Sequence, residues 1–358
     1  FRRVLFRSTL TIDATALTGT NTLDLDGSAE TNGNFSVIGS GQADLIKVGL
    51  GNDTVIADRG DDTIQSLGGN DNLAGGEGND LFLMGNSVTS ADTISGGNGT
   101  DELRFTDNGS ATSDLDQTTG VELITLGDAN TSVVTVDALV DAGATLTVDA
   151  RGLTAGHTLN WNGAAETDGS FSILGSDAND TVVGGAQADT ILSGNGNDLI
   201  HAGNGANVID AGTGNNTVTA TDGNDSIVAA DGNNNIDAGA GANTITTGNG
   251  NDVIVTDTNT SGADIITSGG GNDSVSSGTG NDTINLGAGN DTVVGGLGAD
   301  DITLGGGANL IIYTDESQST ANPLGQGVDI IRGINFSAGD VIQLVSRTDG
   351  MAYATVGV

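Results

Sequence analysis

An aspartate returns every nine residues through much of this chain. Asp44, Asp53, Asp62, Asp71 and Asp80 form one run, and a twelve-residue step leads to Asp92 and Asp101. A second run holds Asp180, Asp189, Asp198, Asn207, Asn216, Asp225, Asn234, Asn243 and Asp252, and another twelve-residue step leads to Asp264, Asp273, Asp282, Asp291, Asp300 and Asn309. Two places after each of these positions stands an apolar residue, from Ile46 and Val55 to Ile302 and Ile311. Carboxylates repeated at fixed spacing are hard oxygen donors, and their natural chemistry is to hold a hard cation.

The elements that must position them follow from the same repeat. Before each aspartate the typical stretch is Gly-x-Gly-x, with a doubled glycine at Gly75–Asp80, Gly96–Asp101 and Gly295–Asp300. The unit Gly-Gly-x-Gly-x-Asp-x-apolar-x reads as six residues of turn followed by three of strand, with its one large apolar side chain pointing inward. Two units, eighteen residues, make one coil with a turn on each side. Successive coils then stack as parallel strands about 4.7–4.9 Å apart. Aspartates eighteen apart fall into columns, where two carboxylates roughly 5 Å apart repel by about 0.8 kcal/mol in water and about 3 kcal/mol at an effective dielectric of 20. A divalent ion between turns converts that repulsion into attraction. Calcium suits such a site better than magnesium because it takes six to eight oxygens, backbone carbonyls included, in a flexible geometry. One buried aliphatic per unit does not offset the ordering of nine backbones, so the blocks are expected to fold only as calcium is added.

Composition agrees. The 358 residues include 60 Gly, one Pro and no Cys, and 47 acidic against 9 basic residues give a formal charge of -38. That charge makes nucleic acid and anionic membrane poor partners and cations good ones. Without cysteine there are neither disulfides nor thiolate metal sites. No run of 18 apolar residues occurs, so no membrane span is expected. Residues 1–8 carry three of the basic residues and no uninterrupted apolar stretch, and are read as extraneous or as the start of a fragment.

At this point the residues resemble a known family, the repeats-in-toxin proteins, whose β-roll is built on this nonapeptide. The resemblance covers 44 to 105 and 175 to 313. It implies an all-β, right-handed parallel β-roll or β-solenoid in which each calcium sits between neighbouring turns. The ligands would be an Asp from each turn and carbonyls of the glycine-rich loops: Gly49, Gly51, Gly76, Gly78, Gly97, Gly99, Gly194, Gly196, Gly278, Gly280, Gly287, Gly289, Gly296 and Gly298. The pairs so implied include Asp44 with Asp62, Asp53 with Asp71, Asp62 with Asp80, Asp264 with Asp282, Asp273 with Asp291 and Asp282 with Asp300. The neutral Asn207, Asn216, Asn234 and Asn243 depart from the pattern. They are expected to stack as an amide ladder that needs no metal, with weak calcium sites as the alternative. The twelve-residue steps are expected to bulge a loop and cost one site each. The segment 308–344, with Tyr313, Asp315, Glu316, Asp329, Ile331, Phe336, Gly339, Asp340, Ile342 and Leu344, resembles the family's C-terminal cap. Family members with such a tail usually leave Gram-negative cells by type I secretion.

A longer duplication lies above the repeat. At an offset of 136 residues, Thr9–Asp13 matches Thr145–Asp149 and Glu30–Ser40 matches Glu166–Ser176. The expected organisation is a β-rich leader (1–43), a first calcium block (44–105), a β-rich spacer (106–174, of which 145–174 duplicates 9–38), a second block (175–313) and a cap (314–358). Leader and spacer are expected to be longer solenoid rungs or a small β-sandwich.

Catalytic readings find little support. His-Glu-x-x-His and Gly-x-Ser-x-Gly are both absent, which removes the zinc protease and the lipase from these residues. His157 and His201 stand in separate blocks, and few basic residues are available to handle an acidic sugar. Trp161 aligns with Leu25 and is expected to pack in the core; Glu30 and Glu166 are read as turn formers, with extra calcium ligation as the alternative. The chain is therefore expected to be a non-enzymatic, calcium-stiffened segment of an extracellular surface-layer or adhesin-like protein, associating with itself in a lattice or fibre or with cell-surface glycans. The alternatives are the secretion and folding tail of an enzyme whose catalytic domain lies upstream, and a glycan- or ice-binding module on a flat solenoid face.

Overall fold

The computed structural model describes residues 8–85, 88–105, 112–154, 156–256, 262–313, 328–344 and 355–356. It is an all-β parallel β-solenoid, divided into two compact units, Phe1–Ala186 and Gln187–Val358. Among the described residues the only helical geometry is two 3₁₀ turns, Asp137–Leu139 and Phe336–Ala338.

In the first unit one stack runs Asp24–Asp26, Leu45–Lys47, Thr63–Ser66, Leu81–Met84, Glu102–Phe105, Leu123–Thr125, Thr145–Asp149 and Ser170–Leu174, every pair parallel. The alternate strands form a second stack, Leu10–Asp13, Phe35–Ile38, Thr54–Arg59, Asn72–Glu77, Thr93–Asn98 and Thr118–Thr119. A third stack, Thr112–Asp114, Thr131–Val134, Leu159–Asn162 and Thr181–Val183, starts in the spacer. The described strands of 9–43 and 112–174 pair in parallel as rungs of these stacks.

The second unit shows why the pattern folds this way. Its register aligns Ile191, Ile209, Ile227, Ile245, Ile266, Ile284, Ile302 and Ile331 in one file. The other file is Ile200, Val218, Ile236, Ile254, Val275, Val293, Ile311 and Ile342. From Ile191 to Ile302 and from Ile200 to Ile311 these side chains are buried, while the residues flanking each alternate outward. Three-residue strands suffice because one β-branched side chain per strand stacks on its equivalent above and below.

At the C-terminal end, Ile330–Arg332 and Val341–Leu344 extend the two files in parallel, and among the described residues Thr355–Val356 alone pairs antiparallel. Of the residues expected in a cap, Ile331, Ile342 and Leu344 thus join the ladder, while Asp315 and Glu316 lie outside the described residues. Trp161 is fully buried, with Phe171 edge-on to it at a ring-centroid distance of 5.5 Å, which places it in the core as its alignment with Leu25 implies.

Candidate metal-binding turns

Each repeat aspartate stands at the end of a glycine-rich turn, one residue before its strand. Because the apolar residue two places on must enter the core, the aspartate side chain is drawn into the turn interior as well. Every aspartate from Asp44 to Asp300 in the repeat positions is at most 3 % exposed. Burial of so many carboxylates demands compensation.

The stacking supplies the first half. The backbone N–H of an aspartate donates to Oδ1 of the next aspartate in its column: Asp44 to Asp62 at 2.6 Å, Asp53 to Asp71 at 2.8 Å and Asp62 to Asp80 at 2.9 Å. In the second unit Asp264 bonds Asp282 at 2.9 Å, Asp273 bonds Asp291 at 2.9 Å and Asp282 bonds Asp300 at 3.0 Å. All six pairs implied by the nonapeptide are therefore brought together. Likewise, Asp189 donates to Asn207 and Asp198 to Asn216, each at 2.9 Å. The twelve-residue steps do not break the columns: Asp71 reaches Asp92 and Asp80 reaches Asp101 at 2.7 Å, and Asp252 reaches Asp273 at 2.9 Å. The residues inserted at each step lie partly outside the described residues, at 86–87 and 257–261, and the carboxylate contact between coils persists across both.

The second oxygen is where the turns differ. Oδ2 of Asp53, Asp62, Asp80, Asp101, Asp225, Asp252, Asp273, Asp282, Asp291 and Asp300 is buried and takes no hydrogen bond. In Asp44, Asp92 and Asp180 it accepts from backbone N–H groups of Ser40, Thr89 and Ser176, and in Asp71 from the Ser66 hydroxyl. Burial pushes Asp62 and Asp300 up to about 7. It pushes Asp71, Asp101, Asp282 and Asp291 up to about 6, with the neighbouring carboxylates adding to the effect in each. Burial also raises Asp53, Asp80, Asp180, Asp225, Asp264 and Asp273. Without a counter-charge these groups bind protons in its place.

The asparagine turns reveal what surrounds that second oxygen. Their Oδ1 makes the same inter-coil bond, as in Asn207 to the N–H of Asp189 and Asn234 to the N–H of Asn216 at 3.1 Å. Their Nδ2 therefore takes the place of Oδ2, and there it donates to carbonyls of its own turn. Asn234 reaches Ala230 at 3.1 Å and Gly232 at 3.0 Å; Asn207 reaches Gly205 at 3.1 Å; Asn216 reaches Ala211 at 2.9 Å. The amides thus donate into their own loops, and that of Asn234 also reaches Oδ1 of Asp252 in the next coil at 3.1 Å; the Asn216–Asn234 contact is backbone to side chain, so an unbroken ladder of amide on amide is not what joins these coils. In an aspartate turn the same place holds a carboxylate oxygen facing carbonyl oxygens, an all-oxygen pocket whose fitting occupant is a hard cation.

Glycine makes the pocket possible. Gly296 and Gly298 have φ of 93° and 146°, and a Cβ on Gly298 would overlap the carbonyl oxygen of Gly280 in the adjacent coil. A Cβ on Gly295 or Gly75 would press on Oδ2 of Asp300 or Asp80. Gly76, Gly78, Gly97, Gly99, Gly194, Gly196, Gly278, Gly280, Gly287 and Gly289 share the positive φ. Gly49 and Gly51 do not, and are required there instead by the carbonyls of Glu30 and Gly33.

Sequence reasoning missed three members of the columns. Glu122 accepts from the N–H of Asp101 at 2.7 Å, Asp329 from that of Asp300 at 3.0 Å and Asp340 from that of Asn309 at 2.8 Å. Asp329 and Asp340 carry the same signal as the rest, an apolar residue two places on in Ile331 and Ile342. Offsets of 29 and 31 residues from Asp300 and Asn309, in place of eighteen, concealed it.

A parallel β-solenoid whose glycine-rich turns bury columns of half-satisfied carboxylates is a cation-binding β-roll. The model of the RTX calcium-binding nonapeptide repeat matches residues 48–82, 89–105, 174–209, 201–236, 228–260, 260–284 and 276–311, more than half of the chain. This chain belongs to that family, and its repeats have a calcium-binding structural role. No curated protein matches it.

Proposed function

We propose that the chain is a non-catalytic structural segment of an extracellular surface-layer or adhesin-like protein, carried out by type I secretion and stiffened by calcium outside the cell. The observation that carries the proposal is the row of buried Oδ2 atoms with no hydrogen bond, each set where asparagine places an amide donor between carbonyls. A turn built this way is incomplete without calcium. Extracellular calcium modules work with dissociation constants of about 10⁻⁴–10⁻³ M, so such a turn stays open in the cytosol and closes outside. The acidic surface favours calcium-bridged contact between copies or with surface glycans over contact with nucleic acid. Among the described residues no helix is long and apolar enough to cross a membrane, which says nothing of a β-barrel.

Calcium titration of the full chain followed by circular dichroism and light scattering tests this reading. Strand signal should rise with calcium, and assemblies larger than the single chain should follow in the millimolar range. A strand spectrum indifferent to excess chelator refutes the calcium role. Calcium-dependent folding without any self-association or glycan binding refutes the surface role and favours the tail of an upstream enzyme.

A further inference from the structure

The spacer contains a cluster of acidic groups that the nonapeptide does not explain. Asp137, in the 3₁₀ turn, and Glu166 and Asp168, in a loop one coil later, each bring a carboxylate oxygen to within 4.8 Å of the others. Glu166 is fully buried while Asp137 and Asp168 are exposed, so the cluster has a buried floor and an open mouth. One oxygen of Glu166 holds its own loop together, since Oε1 accepts from the N–H groups of Asp168 at 3.2 Å and Gly169 at 2.8 Å. The other, Oε2, is buried and takes no hydrogen bond.

The internal duplication provides a control for the turn. Glu30, the equivalent of Glu166, accepts through Oε1 from Thr31, Asn32 and Gly33 at 3.0–3.1 Å, so the same glutamate-centred loop recurs in the first copy. Asn32 stands there at the place of Asp168. The carboxylate of Asp168 is therefore not needed for the turn, and by charge it opposes the gathering of three acidic groups. Asp137 is in turn fixed by Thr167, whose N–H and hydroxyl donate to its Oδ1 at 2.9 Å and 2.6 Å. A held carboxylate, a buried one with an oxygen to spare and an exposed one converge with no basic residue among them.

The geometry points to a second kind of calcium site, formed by Asp137, Glu166 and Asp168 and independent of the nonapeptide turns. Its ligands come from carboxylates on two successive coils, whose strands Thr131–Val134 and Leu159–Asn162 are paired. The ion clamps the spacer where repeat turns are absent. Three carboxylates and no nitrogen or sulfur select a hard divalent cation, and the open mouth leaves room for water in the shell, as calcium tolerates.

The test uses the full chain crystallised with calcium, with an anomalous difference map collected at long wavelength, and equilibrium dialysis of the wild type and the Asp137→Asn/Asp168→Asn variant. A peak among the three carboxylates and the loss of one calcium equivalent in the variant are expected, with circular dichroism in calcium unchanged because the first copy already carries asparagine at the second position. Glu166→Gln, which keeps the Oε1 acceptor, should lose the same equivalent. Peaks in the nonapeptide turns but none here, or an unchanged stoichiometry in both variants, overturn the site and leave the repeat assignment intact. A peak here with empty nonapeptide turns does the reverse.

Discussion

Aspartate and asparagine differ by one atom, and in these turns that atom decides what the turn needs. The amide of Asn234 finds its carbonyls at 3.0–3.1 Å, whereas the equivalent oxygen of Asp282 finds nothing to accept from. Asp282→Asn is therefore expected to act with opposite signs in two conditions. In chelator it stabilises the metal-free chain by about 1–3 kcal/mol, the penalty of a buried unsatisfied polar group that it removes. In calcium it weakens binding and destabilises. Urea unfolding of the variant in both buffers checks the inversion; a variant less stable than wild type in chelator contradicts it.

At the scale of the element, turn and strand fail for different reasons. Gly298→Ala places a methyl group against the carbonyl of Gly280 and forces a side chain onto a φ of 146°. It is expected to cost more than about 1 kcal/mol and to remove the adjacent calcium site, measured by denaturation and by calcium stoichiometry. Ile284→Ala opens a cavity in a buried file and is expected to cost about 2–5 kcal/mol while leaving the turn ligands in place. Calcium affinity measured on the folded variant separates the two. The asparagine turns supply their own donors, so amides of 207–247 should keep more hydrogen-exchange protection in chelator than amides of 264–302.

For the whole molecule the buried carboxylates set a pH dependence. Asp62 and Asp300, near 7, and Asp71, Asp101, Asp282 and Asp291, near 6, bind protons in the folded metal-free chain more tightly than an unfolded aspartate of 3.8. Folding without metal then takes up protons, so its stabilising contribution is full below about pH 4 and is lost as pH rises through 6 to 7. Circular dichroism in chelator should show more strand at pH 5 than at pH 8. In calcium the order reverses, because each ion must displace the protons it replaces.

The chain's own letters determined the coil, its period, its inward file and the carboxylate columns, because each depends on side-chain alternation and on glycine at fixed distances from an aspartate. They also showed that Trp161 belongs inside, since its counterpart Leu25 is a strand position. The columns' continuation through Asp329 and Asp340 was decided by tertiary structure: loops of different length deliver the same Asp-x-Ile unit to the next coil, and counting residues cannot see across them. Which aspartates lack a donor was decided there too. A serine stands five residues before Asp71, Asp273 and Asp282 alike, but the Ser66 hydroxyl donates to Oδ2 of Asp71 whereas those of Ser268 and Ser277 donate to the carbonyls of Leu286 and Gly295. The meeting of Asp137 with Glu166 and Asp168 depends on how one coil lies on the next, a distance that chain separation does not encode.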